Sequence, residues 1–199
     1  MYLKVKRIMD ICFVTLTAPI WIIVFGVLAV AVKCTSKGPI FFKQKRVGIN
    51  KTFFMMYKFR SMYINAPKDV PTHLLTNPET FITPVGKFLR KYSLDELPQI
   101  INIIKGEISL VGPRPALWNQ YDLIAERDKW GANSVPVGIT GLAQVSGRDE
   151  LPIKVKARFD GKYAKHISLF LDIYILFKTF FSAIKGSGVK EGGTGAGAA

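Results

Sequence analysis

The chain has 199 residues, enough for one domain with a buried core or a small domain with appendages. Lys and Arg number 28 against 14 Asp and Glu, a net charge of +14, which implies an anionic partner: nucleic acid, an acidic membrane surface or a phosphorylated small molecule. The two cysteines, Cys12 and Cys34, form no Cys-x-x-Cys pair, and the two histidines, His73 and His166, stand far apart, which argues against a structural zinc site or a disulfide framework and makes a reducing compartment the default.

The first element is an uncharged run of 22 residues from Ile11 to Val32, long enough to cross a hydrocarbon core as a helix. It is longer than a signal-peptide apolar region and lacks the polar face of a buried core helix. Lys4, Lys6 and Arg7 precede it, and Lys33, Lys37, Lys43, Lys45 and Arg46 follow, so both flanks carry the charge of a cytoplasmic side. Pro19 removes a helical hydrogen bond within the run. A bent helix that enters and leaves by one face fits both observations, and an ordinary kinked span fits the proline. The residues leave both open.

Turn signals at Gly38-Pro39 and Gly48-Ile49-Asn50, with apolar–basic runs between and beyond them, predict a hairpin within residues 36–62. A Pro-, Thr- and Asn-rich stretch over 65–86 reads as a loop with a short helix. One helix is expected from Thr83 or Pro84 to Tyr92 and a second from Asp95 to Lys105, with Leu97, Ile100, Ile101 and Ile104 as its buried stripe. A short extended piece follows in EISLVGPRP, then an amphipathic helix ending at Gly131, a Gly-rich loop over PVGITGLAQVSGR, and helices at about 152–165 and 168–185. Apolar and aromatic residues cover most of the last helix, which Ser168 can cap; with the basic segment before it, it reads as a helix lying on an anionic membrane surface, against the alternative of a core helix. The Gly/Ala-rich end, 187–199, reads as a disordered tail, leaving 1–35 as a membrane unit and 36–186 as the catalytic unit.

Asp95 and Glu96 are the residues to explain. Ser93-Leu94-Asp95-Glu96 fits a capping box, and acidic residues suit a helix start; Pro98 is more comfortable if Asp95 is the cap. Either way, helix stability alone accounts for the pair. The surroundings suggest more, because Lys58 and Arg60, Arg90 and Lys91, Arg114 and Arg148 lie in short motifs around it. Pro113 and Pro115 restrict where the Arg114 guanidinium points, as a bidentate phosphate grip requires. A carboxylate pair among cations suits phosphoryl chemistry: an Asp nucleophile, a Glu that helps to hold Mg²⁺, and arginines that stabilise charge.

Taken together, KR-x-x-D at Lys6–Asp10, GPIFFKQKRVG, YKFRSM, RKYSLDELPQIINIIKGEISLVGPRP and GITGLAQVSGR resemble the bacterial sugar transferases, the small monotopic phosphoglycosyl transferases. The resemblance runs from about Lys6 to Gly188, with the motifs in the family's order. It implies an α+β, predominantly helical fold: a re-entrant membrane helix broken at Ala18-Pro19, and interfacial amphipathic helices around a small catalytic domain. It implies transfer of a sugar-1-phosphate from a UDP-sugar to undecaprenyl phosphate on the cytoplasmic face of the bacterial inner membrane, with a homodimer left open and no nucleic-acid partner. Asp95 would be the nucleophile, Glu96 would assist Mg²⁺, and Asp95 and Glu96 together would be its ligands. Lys58, Arg60, Arg90 and Arg114 would hold phosphates, with Gln144 and Arg148 as nucleotide or sugar contacts. An N-acetylated amino sugar is the expected donor sugar. Two departures stand out. The break reads Ala-Pro, without the serine hydroxyl common in relatives, and the loop Pro136–Leu142 lacks their arginine and tryptophan. The competing reading is a membrane-tethered basic protein that binds nucleic acid or anionic lipid. Catalysis predicts that Lys58, Arg90, Arg114 and the acid pair converge on one pocket; tethering predicts a spread patch.

Overall fold

A computed structural model describes residues 2–67, 70, 75, 77–147 and 151–184. The chain is mostly helical, with two small two-stranded sheets.

Helix α1 (Tyr2–Leu16) and helix α2 (Ala18–Thr35) meet at Thr17, with Pro19 in the first turn of α2. The break is stitched by side chains. The Thr17 hydroxyl donates to the Phe13 carbonyl (2.7 Å), and Trp21 Nε1 donates to the Val14 carbonyl (2.9 Å). The hydroxyl back-bond that the Ala-Pro sequence appeared to lack is therefore supplied one residue earlier, by a threonine.

Lys6, Asp10 and Val14 fall at four-residue intervals on one face of α1, and all three are buried. Lys6 pairs with Asp172 (2.6 Å), Asp10 accepts from the Ser109 hydroxyl (2.7 Å) and the Leu110 amide (3.2 Å), and Val14 joins the core. Arg7 donates to the carbonyls of Ile103 and Ile104. Two of the three cations read as a cytoplasmic flank thus serve as ties between α1 and the rest of the protein. Helix α2 is long and apolar enough to cross a membrane and is mostly unburied, yet Leu28 and Val32 pack with Phe59 and Leu89.

The hairpin forms as expected. Strand β1 (Phe41–Val47) pairs antiparallel with β2 (Phe53–Phe59), Phe41 opposite Phe59 and Lys43 opposite Tyr57. Its inner face, with Phe54 and Met56, meets Ile103, Ile108 and Val137 in the main apolar cluster. Fully burying side chains of this size stabilises by roughly 1.5–3 kcal/mol each.

Helix α3 (Pro84–Lys91) starts at Thr83, whose hydroxyl accepts from the Gly86 amide (2.9 Å). The expected helix from Asp95 to Lys105 is divided. Leu94–Glu96 form a 3₁₀ turn, Pro98 stands at the N-cap, and α4 runs only from Gln99 to Lys105. Ser93 is left-handed (φ 56°, ψ 22°) and caps nothing with its side chain, so the capping box does not form. The buried face of α4 is Gln99, Asn102 and Ile103, whereas Ile104 is exposed. The apolar stripe read from spacing is displaced because Asn102 turns inward to satisfy the free edge of β2. It donates to the Met55 carbonyl (2.8 Å) and accepts from the Tyr57 amide (3.0 Å).

Strand β3 (Ser109–Val111) pairs in parallel with β4 (Gly138–Thr140), within the stretch expected to be a Gly-rich loop. The glycines serve backbone packing: a Cβ on Gly138 or Gly141 would collide with the backbone of Gly112. Helix α5 is shorter than expected (Tyr121–Asp128), and α6 (Leu142–Ser146) follows β4. Helices α7 (Ile153–Lys165) and α8 (Leu169–Ile184) match the sequence reading closely, and the Ser168 hydroxyl accepts from the Leu171 amide (3.4 Å). Helix α8 is not a core helix. Ile175 and Asp172 turn inward, while Phe170, Ile173, Phe177 and Phe180 are exposed. The expected tail at 187–199 lies outside the described residues.

Candidate active site

The turn between α3 and α4 delivers the acid pair. The left-handed Ser93 reverses the chain after Arg90, a conformation that costs a non-glycine residue energy and is retained chiefly where a site requires it. The turn places Asp95 at 7 % exposure and Glu96 deep beside it. Neither carboxylate caps α4, so helix-start stability does not account for their burial.

Glu96 is fully engaged. Its Oε1 pairs with Lys58 Nζ at 2.7 Å and with an Arg114 guanidinium nitrogen at 2.6 Å, and Arg114 reaches its Oε2 at 3.4 Å. Asp95 is held more loosely, with Lys58 Nζ 3.9 Å from Oδ2. The two acids are driven apart in pKa. Burial pushes Asp95 up, with Lys58, Arg90 and Arg114 opposing and Glu96 adding to the rise. Burial acts on Glu96 in the same direction, but the charges and hydrogen bonds of Arg114 and Lys58 outweigh it and hold Glu96 well below the ordinary carboxylate range. One neighbour is a fixed anion, and the other is a carboxyl whose charge responds to what enters the site.

Asp95 opens onto a cavity of about 400 Å³ whose polar lining includes Lys43, Arg46, Lys58 and Arg90, opposite Phe41, Phe42, Tyr63 and Ile64. Lys58 comes from β2, Arg90 from the last turn of α3, and Arg114 from the loop after β3. That loop is braced from two sides. Arg46 donates to the Pro115 carbonyl (2.9 Å), and the Val47 amide donates to Ala116 (2.9 Å). On the other side, Arg127 donates to the Arg114 carbonyl (3.0 Å) while pairing with Asp160 at 2.6 Å, both side chains being almost fully buried.

Lys58, Arg90 and Asp95 line the cavity together, whereas Glu96 and Arg114 do not line it and join the cluster through their own ion pair and through Lys58. Arg60 belongs elsewhere. It lines the cavity, but its guanidinium donates to the Lys37 and Ser36 carbonyls and the Ser36 hydroxyl beyond α2, so it ties the membrane-type helix to the hairpin. Gln144 does not line this cavity; its amide donates to the Ile139 carbonyl (2.8 Å). Arg148 lies outside the described residues. The sequence reading missed Asn102, Gln99, Arg46, Arg127 and Asp160. Gln99 and Asn102 carried a signal, two amides three residues apart in an otherwise apolar helix. The Arg127–Asp160 pair carried none, because only packing of α5 on α7 brings these residues together.

Among the described residues no three His, Cys, Asp or Glu side chains gather as a metal cage. Mg²⁺ is commonly held by one or two carboxylates together with water and substrate phosphate oxygens; Asp95 faces the cavity as one such carboxylate, and Glu96 would have to share its oxygens with Lys58 and Arg114.

Comparison with known proteins places the chain in a family. The bacterial sugar transferase family model matches residues 1–186. The exopolysaccharide production protein ExoY of Sinorhizobium fredii is 35 % identical over 192 residues, covering 87 % of this chain and 83 % of the relative. The UDP-glucose:undecaprenyl-phosphate glucose-1-phosphate transferase of Xanthomonas campestris is 42 % identical over 159 residues, 76 % of this chain and 33 % of the relative. The UDP-N-acetylgalactosamine-undecaprenyl-phosphate N-acetylgalactosaminephosphotransferase of Aeromonas hydrophila is 36 % identical over 197 residues, 95 % of this chain and 46 % of the relative. The chain is an enzyme of the phosphoglycosyl transferase class. It belongs to the bacterial sugar transferase family.

Proposed function

We propose that the protein transfers a sugar-1-phosphate from a UDP-sugar to undecaprenyl phosphate in exopolysaccharide or capsule assembly, with Asp95 as the nucleophile. The observation that carries this reading is the pairing of a loosely held, cavity-facing Asp95 with a Glu96 locked by Lys58 and Arg114.

The donor diphosphate enters the cavity, where Lys58 and Arg90 offset the repulsion between its anionic oxygens and the Asp95 carboxylate. An Asp95 oxygen attacks the phosphorus that bears the sugar. The bond from that phosphorus to the bridging oxygen breaks, and UMP leaves with the electron pair. The enzyme now carries an acyl phosphate on Asp95. A phosphate oxygen of the polyprenyl acceptor attacks the same phosphorus, the Asp95–phosphorus bond breaks, and the carboxylate is regenerated. Arg114, oriented by Glu96 and by the Arg127 brace on its carbonyl, stabilises charge on the transferring group. Asp95 and Glu96 are the residues that would hold Mg²⁺, which would supply charge neutralisation for the phosphate oxygens.

A polyprenyl acceptor resides in a membrane, which the exposed apolar surfaces of α2 and α8 suit. Both arms of the α1–α2 pair are tied to one body, α1 through Lys6 and Asp10 and the end of α2 through Val32 and the Arg60 bonds. This supports a re-entrant, monotopic arrangement on the cytoplasmic face. The names of the relatives include both plain and N-acetylated hexose donors; UDP-N-acetylhexosamine heads the panel proposed for this chain.

The test is UMP release from a panel of UDP-sugars by purified protein with Mg²⁺ and undecaprenyl phosphate. Multiple-turnover release of UMP from one donor, sustained only while acceptor is present, is expected. Absence of release across the panel, from folded protein in detergent or lipid, would overturn the reading.

A further inference from the structure

Gln99 is completely buried, and neither its amide oxygen nor its amide nitrogen has a hydrogen-bond partner. Leaving buried polar groups unpaired costs on the order of 1–3 kcal/mol each, and native proteins keep few of them.

The position of this residue gives the cost a reason. The backbone stays right-handed and helical through the join between the acid turn and α4. Leu97 (φ −52°, ψ −38°) and Pro98 (φ −63°, ψ −11°) link the two, and the Ile100 amide donates to the Leu97 carbonyl (3.1 Å). Gln99 therefore lies one turn beyond Asp95 and Glu96, at the three- and four-residue spacings that bring side chains to one helix face. Asp95, Gln99 and Asn102 form a buried polar stripe. Asn102 is fully used on β2, and Glu96 is fully used by Lys58 and Arg114. Asp95 has its Lys58 ammonium at 3.9 Å, beyond hydrogen-bonding distance. An amide donor without an acceptor thus stands one turn from a carboxylate without a close donor.

We propose that Gln99 is a positioning residue: in the donor-loaded enzyme its Nε2–H donates to the Asp95 carboxylate, fixing which oxygen faces phosphorus once the substrate phosphates have engaged Lys58. This rests on the reading of Asp95 as nucleophile. Gln99 itself touches no substrate, because it is sealed from the cavity by burial.

A structural role and a positioning role predict opposite signs, which the variant Gln99→Leu separates. Removing an unpaired amide leaves Tm equal to or above that of the parent. Turnover, read as UMP release at saturating UDP-sugar, falls about tenfold to a hundredfold with KM little changed, as loss of nucleophile alignment predicts. Gln99→Asn, which keeps a shorter amide, recovers part of the rate. Parental turnover in Gln99→Leu, or a rate loss accompanied by a lower Tm or by a matching rise in KM, overturns the proposal. Asp95→Asn in the same assay separates the two readings. If Asp95→Asn is silent and Gln99→Leu is fully active, only this inference fails; if Asp95→Asn releases UMP like the parent, the nucleophile reading fails with it.

Discussion

Asp95 and Glu96 are chemically alike and adjacent, and their surroundings give them different work. Glu96 pairs with two cations and stays ionised, while Asp95 is buried with its nearest ammonium 3.9 Å away. A buried carboxyl whose folded pKa is raised destabilises the fold at neutral pH, and the penalty fades as pH falls through the raised value. Asp95→Asn should therefore raise Tm, while lowering UMP release at least about a thousandfold. Differential scanning fluorimetry beside the UMP assay checks both signs; a lower Tm would mean that the carboxylate serves the fold. Because Lys58 pulls the Asp95 pKa down, Lys58→Met should shift the acidic limb of the pH–rate profile to higher pH, which initial rates across pH 4–8 would reveal. The acid pair and Lys58, Arg90 and Arg114 were legible in the sequence, because dense charge beside turn residues has few innocent explanations. Arg60 lines the same cavity, and nothing in the sequence signalled that its guanidinium also closes the end of α2.

At the scale of elements, the site is a meeting of short pieces, each pinned by polar contacts. The hairpin and helices α3, α7 and α8 follow from turn signals and periodicity, and all four were legible. The helix carrying the acids was not, because its inward face is polar. Spacing rules assign burial to Leu97 and Ile104, whereas the unpaired edge of β2 demands Asn102. The glycines of the 138–141 stretch suggested an irregular loop, whereas close approach of β4 to Gly112 is what requires them. The most instructive tie is Arg127–Asp160, which joins α5 to α7 and holds the carbonyl of Arg114. Breaking a buried pair on one side leaves an unpaired charge, so Arg127→Ala should cost roughly 3–5 kcal/mol. Replacing both partners, with Arg127→Met and Asp160→Leu, should recover much of that stability but not the turnover, because Arg114 remains without its brace. Denaturant melts and UMP release on the three proteins check this; full recovery of rate in the double variant would show that the brace is dispensable.

For the whole molecule, the proposed function gives the charge and the apolar segments one explanation: an enzyme that brings two anionic substrates together at a membrane. The sequence alone left the topology of the N-terminal run open, since Lys6 and Arg7 could count as flanking charges. Their bonds to Asp172 and to the end of α4 are long-range contacts that only the fold reveals. A re-entrant pair predicts that Lys4→Cys and the native Cys34, compared in a Cys12→Ser background, are labelled from the same, cytoplasmic side by a membrane-impermeant maleimide. Labelling from opposite sides would establish a span. The central claim, a covalent phosphosugar on Asp95, is tested most directly by intact-protein mass spectrometry after mixing the enzyme with donor and Mg²⁺ and no acceptor. The account predicts an added mass of one phosphosugar, mapped to Asp95, absent from Asp95→Asn and discharged by undecaprenyl phosphate. UMP release that proceeds only with acceptor present, and with no mass added to the protein, would contradict it.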